Sequence, residues 1–371
     1  KLIALEPKSK DLCNWQFNIV KATLAAMDKK EQVKEAQRLA AVYQETKDRR
    51  DMTKNAVNEC RSNASGVLRE LATTWHREAQ KTQNQDTYAL AQYLYKEYLA
   101  TFPGEKDAYV MTYYYAELLY KLERWEPAAE QYTKVVKMNP KGQYLKDAAY
   151  AAVISWKNAL NVEEESKDTG KKSAKDDVSK PRAIPENQQK MLAAFDTYIK
   201  YVPDAPELVP IMYRKARIYY DANHYDKAVD GFAAIVTKHS SHELAVYAAN
   251  LLLDSLNVMK KYDELNRWVA RLLKDPKLAQ GEFLAQLKVL DAASKRKGAE
   301  QLQKNAEYKE CGDRYAQIAN ENQEDPRWAE LLYNSAICYE AAKMIGMAIS
   351  VRNTLIKVKP KDPLAQKAMF M

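Results

Sequence analysis

The sequence predicts an all-α protein, an α-solenoid of antiparallel helix pairs, on three observations. Glycine is scarce: nine in 371 residues, where an average chain carries about 7 %. Ala, Lys, Leu, Glu and Gln, the good helix formers, are abundant instead. One spacing of small and apolar residues recurs along the chain, mostly at a 37-residue period. A solenoid can use this length without one central core.

The N-terminal part, 1–66, reads as divergent helical repeats. Asp11–Met27 and Glu31–Gln44 form an amphipathic pair, with Leu12, Trp15 and Ile19 on one apolar face and Val33, Ala36, Leu39, Ala40 and Tyr43 on the other. Met52–Asn63 is a candidate for one further helix.

Residues 67–361 carry the repeat. A small residue is followed four on by an aromatic or apolar one, three further by an apolar one, and five further by Pro or a polar stop. The copies are Ala91, Tyr95, Tyr98, Pro103; then Ala128, Tyr132, Val135, Pro140; then Met191, Phe195, Tyr198, Pro203. Weaker copies are Ala228, Phe232, Ile235, Ser240 and Ala348, Arg352, Leu355, Pro360, in which Arg352 breaks the apolar rule. Offsets of four and three share one helical face, and Pro marks the stop. A first helix precedes each copy, with Ala116, Ala216 or Ala336 twelve residues before the second helix's small residue. Small residues at fixed offsets let two helices approach closely, so the unit is an antiparallel hairpin. The stops from Pro103 to Pro140, Pro203 to Ser240, Ser240 to Lys277, and Gln323 to Pro360 are each 37 residues apart.

Two intervals are longer. Lys277 to Gln323 holds nine extra residues, and Pro140 to Pro203 holds a charged stretch at 161–186. That stretch lacks any apolar period and is expected to be a poorly ordered loop between the helices of one repeat. Residues 362–371 read as a C-terminal cap or tail.

The register resembles the tetratricopeptide repeat, usually about 34 residues, in a longer form. Two departures stand out: the glycine of the first helix is Ala throughout, and its Trp is matched only by Trp75. The resemblance implies a protein-binding groove lined by first helices. Its positions fall on Tyr113, Glu117 and Tyr120; on Tyr150, Ile154 and Lys157; on Tyr213, Arg217 and Tyr220; on Asn250, Asp254 and Asn257; and on Tyr333, Ile337 and Glu340. Twenty-five Tyr is a high count, and Tyr suits binding surfaces. Packing between repeats accounts equally well for any single one. If they bind, part of each ring should face solvent. Arg214, Arg217 and Asn250 give an incomplete version of the carboxylate clamp found in chaperone-docking repeats.

Enzyme chemistry finds no support. His239 and His242 form an H-x-x-H, but two nitrogens are too few for a zinc site. No Gly-rich phosphate loop, H-E-x-x-H or nucleophile elbow is present. No cofactor, no metal and no catalytic residue is expected. The net charge of +8 is spread along the chain with acids interleaved, a solvated surface rather than a nucleic-acid stripe. No apolar run is long enough for a membrane helix.

Four cysteines fall in sequential pairs, Cys13 with Cys60 and Cys311 with Cys338. In the register, Cys311 and Cys338 lie on antiparallel helices and can face each other. Each pair is either a disulfide, which suits an oxidising compartment, or two small buried apolar residues.

Long segments resemble bacterial envelope repeat proteins, namely outer-membrane assembly lipoproteins and, more specifically, the repeat lipoprotein of deltaproteobacterial gliding-motility machinery. They are LRELATTWHREAQKT (Leu68–Thr82), YYYAELLYKLERWEPAAEQY (Tyr113–Tyr132) and MNPKGQYLKDAAYAAV (Met138–Val153). The resemblance implies a periplasmic, outer-membrane-associated scaffold that binds other proteins or peptide segments. The alternative is an intracellular, cytoplasmic adaptor or regulatory repeat protein. Leu2–Leu5 before Pro7 read like the tail of an earlier helix, so the chain is expected to be a fragment of a longer precursor, and any signal peptide or lipid anchor would lie in the missing part.

Overall fold

The computed structural model describes residues 2–26, 28–160 and 180–370, and no strand occurs among them. Two compact units divide at Leu208 and Val209; residues 180–183 belong to the second unit.

In the first unit, α1 (Leu2–Leu5) precedes four pairs: α2 (Leu12–Ala26) with α3 (Lys29–Thr46), α4 (Lys54–Thr82) with α5 (Gln85–Thr101), α6 (Ala108–Lys121) with α7 (Trp125–Met138), and α8 (Leu145–Ala159) with α9 (Glu186–Tyr201). Helix starts in the N-terminal part follow local chemistry. Asp28 accepts the amides of Lys30 and Glu31 to open α3, and Thr53 and Asn84 do the same for α4 and α5. Met52–Asn63 is not a separate helix. It falls largely within α4, which runs on through residue 66 for 29 residues, so no helix boundary lies there.

The second unit holds α10 (Leu208–Asp221) with α11 (Tyr225–Lys238), α12 (Leu244–Val258) with α13 (Tyr262–Leu273), α14 (Gly281–Lys304) with α15 (Tyr308–Glu321), α16 (Trp328–Ala341) with α17 (Ile345–Val358), and a closing α18 (Pro363–Ala368). Ala365 and Ala368 of α18 are buried, and α18 packs on α16 and α17. The nine extra residues before Gln323 fall in α14 and its approach, making α14 24 residues long against 14 for α16.

The small residues sit where the hairpin register requires them. Ala116 and Ala128, Ala216 and Ala228, and Ala336 and Ala348 are all buried. At Gly231 a Cβ would lie only 2.7 Å from the Cβ of Ala216, so α10 and α11 meet there with no room for a methyl group. Arg352, which breaks the apolar pattern, is buried in α17 and places Nη1 2.6 Å from Oε1 of Glu340 on α16. That pairing holds the Glu340 carboxyl below its ordinary range. The odd residue thus replaces an apolar contact with a charge-assisted bond across the hairpin.

Five hairpin turns share one device. Glu123, Asn223, Lys260, Ala306 and Lys343 have φ between 56° and 62°, at the same place in the register. The next amide of each turn returns to the first helix: Arg124 to the carbonyl of Leu119, His224 to Tyr219, Lys261 to Leu256, Glu307 to Leu302 and Met344 to Tyr339, at 2.8–3.0 Å. This is the Schellman arrangement, which glycine usually fills. The glycine-poor sequence meets it with ordinary residues.

Both cysteine pairs are disulfides, with Cα separations of 5.7 Å for Cys13–Cys60 and 5.8 Å for Cys311–Cys338. The first ties α2 to α4 and the second ties α15 to α16, so each links consecutive hairpins. Around the second, Gly312 lies against the Tyr339 ring. Ser335 Oγ donates to the Gly312 carbonyl at 2.8 Å, and Tyr339 Oη donates to Asp313 at 2.7 Å.

Most of the charged stretch, 161–179, lies outside the described residues, and so does the expectation of poor order there. Its described end is attached to the α10–α11 turn. The Arg182 amide donates to the Ala222 carbonyl at 2.8 Å, and Asn223 Nδ2 donates to the Lys180 carbonyl at 2.9 Å.

Candidate partner-binding site

The six tyrosines expected in a groove divide by what covers them. Tyr150 on α8 is 39 % exposed, 6.0 Å from the Tyr198 ring. Tyr113 and Tyr120 on α6 are half-buried. Tyr213, Tyr220 and Tyr333 are buried, against the expectation of solvent-facing rings. Tyr213 packs 5.7 Å from Phe232, and Tyr220 packs 5.7 Å from Tyr225. Tyr333 lies under Lys367 of α18, whose Nζ stands 5.4 Å from the ring centre. In each case the next helix, or the terminal one, closes over the ring.

In the first unit the aromatic side chains form a connected cluster. Tyr113 stacks on Tyr144 with centroids 4.0 Å apart, Tyr120 meets Trp125 edge-on at 5.0 Å, and Tyr132 lies edge-on to Tyr113 at 6.1 Å. The Tyr132 hydroxyl donates to Glu117 Oε1 at 2.5 Å. Burial, reinforced by the Glu117 carboxylate, pushes the Tyr113 and Tyr132 hydroxyls well above the ordinary tyrosine value. They remain neutral donors at physiological pH. A polar cavity of about 290 Å³ beside this cluster is lined by Thr73, His76 and Gln80 of α4, Tyr95 of α5, and Tyr113 and Glu117 of α6. His76 is buried, with Nδ1 3.1 Å from the Tyr95 hydroxyl. Desolvation lowers its pKa to about 4, so it is neutral there. Lys157 on α8 is half-buried.

In the second unit Arg217 binds Asp221 through Nε at 3.0 Å and stands 5.6 Å from the Tyr220 ring centre. Burial opposes its charge and Asp221 favours it, with the net effect raising its pKa. Asn250, Asp254 and Asn257 of α12 lie along one wall of a cavity of about 480 Å³. Asp254 Oδ2 accepts the Tyr220 hydroxyl at 2.6 Å, so Tyr220 orients a wall residue from within the core.

The opposite wall is α14, and it was not anticipated. Phe283, Leu287, Val289 and Leu290 line it. Its sequence signal was the long interval before Gln323 together with the apolar residues Phe283, Leu284, Leu287, Val289 and Leu290 in the first half of α14. His239 and His242 have structural roles: the His239 amide closes α11 on the Ile235 carbonyl, and His242 Nδ1 accepts the Leu244 amide at 3.1 Å. Among the described residues no group of three or more His, Cys, Asp or Glu is placed to hold a metal ion, and no helix is long and apolar enough to cross a membrane.

No family model and no curated protein matches the chain. Solved structures match it at low identity. A tetratricopeptide repeat protein from Parabacteroides merdae is 11 % identical over 81 % of this chain and 98 % of that one, with a TM-score of 0.30. A thermophilic TPR protein of Thermus thermophilus is 16 % identical over 60 % of this chain and 98 % of that one, with a TM-score of 0.24. A Rap protein in complex with competence and sporulation factor is 12 % identical over 97 % of this chain and 100 % of that one, with a TM-score of 0.25. At such TM-scores the fold assignment rests on the helix pairs, their common register and their shared turns.

Proposed function

We propose that this chain is a non-catalytic scaffold that gathers other proteins in a multiprotein assembly of the bacterial cell envelope. The observation that carries this reading is a series of first-helix side chains that remain open to solvent. Tyr113, Tyr120, Tyr150, Lys157, Asn250 and Asp254 are half-buried or exposed. Aromatic rings with polar tips beside charges give large contact area at low entropic cost. The two disulfides support a periplasmic location over a cytoplasmic one, because cytosolic thiols are kept reduced. The segments Leu68–Thr82, Tyr113–Tyr132 and Met138–Val153 support the finer reading of an outer-membrane-associated scaffold in gliding-motility or outer-membrane machinery.

The test uses the full-length protein in its own cells, with a photo-crosslinking residue at Tyr150 or, on the exposed side of α7, at Lys134. The proposal expects envelope-protein adducts from position 150 and few from 134. It also expects all four cysteines to resist alkylation until a reductant is added. Equal adducts from both positions would remove the first-helix site, and free thiols in a cytoplasmic fraction would favour the intracellular adaptor.

A further inference from the structure

The groove between α12 and α14 has two chemically different walls. The α14 wall carries Ala285, Val289 and Ala293, one helical turn apart. Val289 is 72 % exposed although it lies mid-helix. A β-branched residue is a poor choice for a solvated helix surface, and the described residues leave Val289 largely uncovered. The floor is apolar and firm, because Leu253, Phe283 and Leu287 are buried. The α12 wall is polar: Asn250, Asp254 and Asn257 recur at offsets of four and three. Among the described residues the charged groups lining the groove are Asp254 and Glu282, with no Lys or Arg.

We infer that this groove takes a short amphipathic helix of a partner protein, with aliphatic or aromatic side chains against α14 and Lys or Arg beside Asp254 and Glu282. Three features select that occupant. Two facing stripes at helical spacing match a third helix laid between them, as in helix-in-groove recognition. A volume of about 480 Å³ accommodates a few side chains from one face of such a helix. Two carboxylates, with no Lys or Arg among the described lining residues, set the sign of the partner's charge. The Tyr220 hydroxyl holds Asp254 in place beforehand, which limits the ordering cost of binding. An acyl chain fits less well, since it would strip water from the amides and carboxylate of α12 without replacing those hydrogen bonds. This inference rests on the protein-binding reading proposed above and assigns the partner chemistry of one part of the site.

The test is selection of a random dodecapeptide library against the whole chain, followed by affinity measurements on the enriched peptides. Enriched sequences should place apolar residues at i, i+3 or i+4, and i+7, with Lys or Arg on the flank. Changing those cations to Glu should weaken binding at least tenfold. Val289→Glu should weaken it at least tenfold with an unchanged thermal midpoint, since Val289 is exposed. Glu282→Lys should shift preference toward the Glu peptides. Enrichment of acidic peptides overturns the inference. Peptides that bind equally to Val289→Glu and Glu282→Lys also overturn it, while protein binding elsewhere on the chain stands. So does capture of a fluorescent fatty acid, lost in Val289→Glu, with no peptide enriched. Absence of enriched peptides together with absence of Tyr150 adducts would remove both this inference and the scaffold reading. Absence of peptides with those adducts retained would remove the groove alone.

Discussion

His76 shows how one buried side chain makes stability depend on pH. Its folded pKa of about 4 lies below the unfolded value of 6.5, so protons bind the unfolded chain first as pH falls. Its contribution is complete above about pH 6.5 and is lost progressively down to about pH 4. At about 1.36 kcal/mol per pKa unit the loss is at most about 3 kcal/mol. Urea unfolding at pH 7.5 and 4.5 should show this drop, and His76→Leu should flatten it. An unchanged pH dependence in the variant would place the titrating group elsewhere. The tyrosines differ in the same residue-level way. Tyr220 is fully buried and holds Asp254, so Tyr220→Ala should cost about 3–5 kcal/mol, as for other large core truncations. Tyr150→Ala removes a partly exposed ring and should cost about 1 kcal/mol or less. Equal costs in chemical denaturation would contradict the division into core and surface rings.

At the scale of elements, turns and staples carry separable contributions. An L-residue in the left-handed region costs roughly 1–2 kcal/mol, while glycine brings back part of that cost as unfolded-chain entropy, about 0.4–1 kcal/mol. Lys343→Gly and Ala306→Gly are therefore expected to stabilise the chain by about 0.5–1 kcal/mol each; a loss of stability at both would show that these side chains make contacts worth more than the backbone strain. The disulfides close spans of 27 and 47 residues. On chain-entropy grounds each contributes about 3–4 kcal/mol. The paired Cys311→Ser and Cys338→Ser variant should lower the denaturation midpoint of the oxidised protein and leave that of the reduced protein nearly unchanged. Loss of stability in the reduced state as well would assign the effect to packing of the two sulfurs.

For the whole molecule, the hairpin order was legible because hairpin contacts are local in sequence. Small residues and stops recur at fixed offsets, and a helix face follows from spacing alone. The stops after α5, α7, α9 and α17 fall at Pro103, Pro140, Pro203 and Pro360 as the register requires. What was not legible depends on neighbours. Spacing put Tyr150 and Tyr213 at the same place in the register, but Phe232 from the next helix packs against a buried Tyr213. The α14 wall was hidden because its extra residues broke the register. Exposure, rather than position in the repeat, therefore separates the candidate contacts from the core. The most direct test of that claim is made in the full-length protein in its own cells. A photo-crosslinking residue at Ile154, half-buried and one turn from Tyr150, reports partner adducts with and without Tyr150→Ala, and the thermal midpoint is measured on the same proteins. Adduct yield is predicted to fall about tenfold or more, in line with a binding anchor worth about 2 kcal/mol, while the midpoint falls by no more than the few degrees that about 1 kcal/mol implies. A lowered midpoint with adducts undiminished would contradict the account and return Tyr150 to the packing between helices.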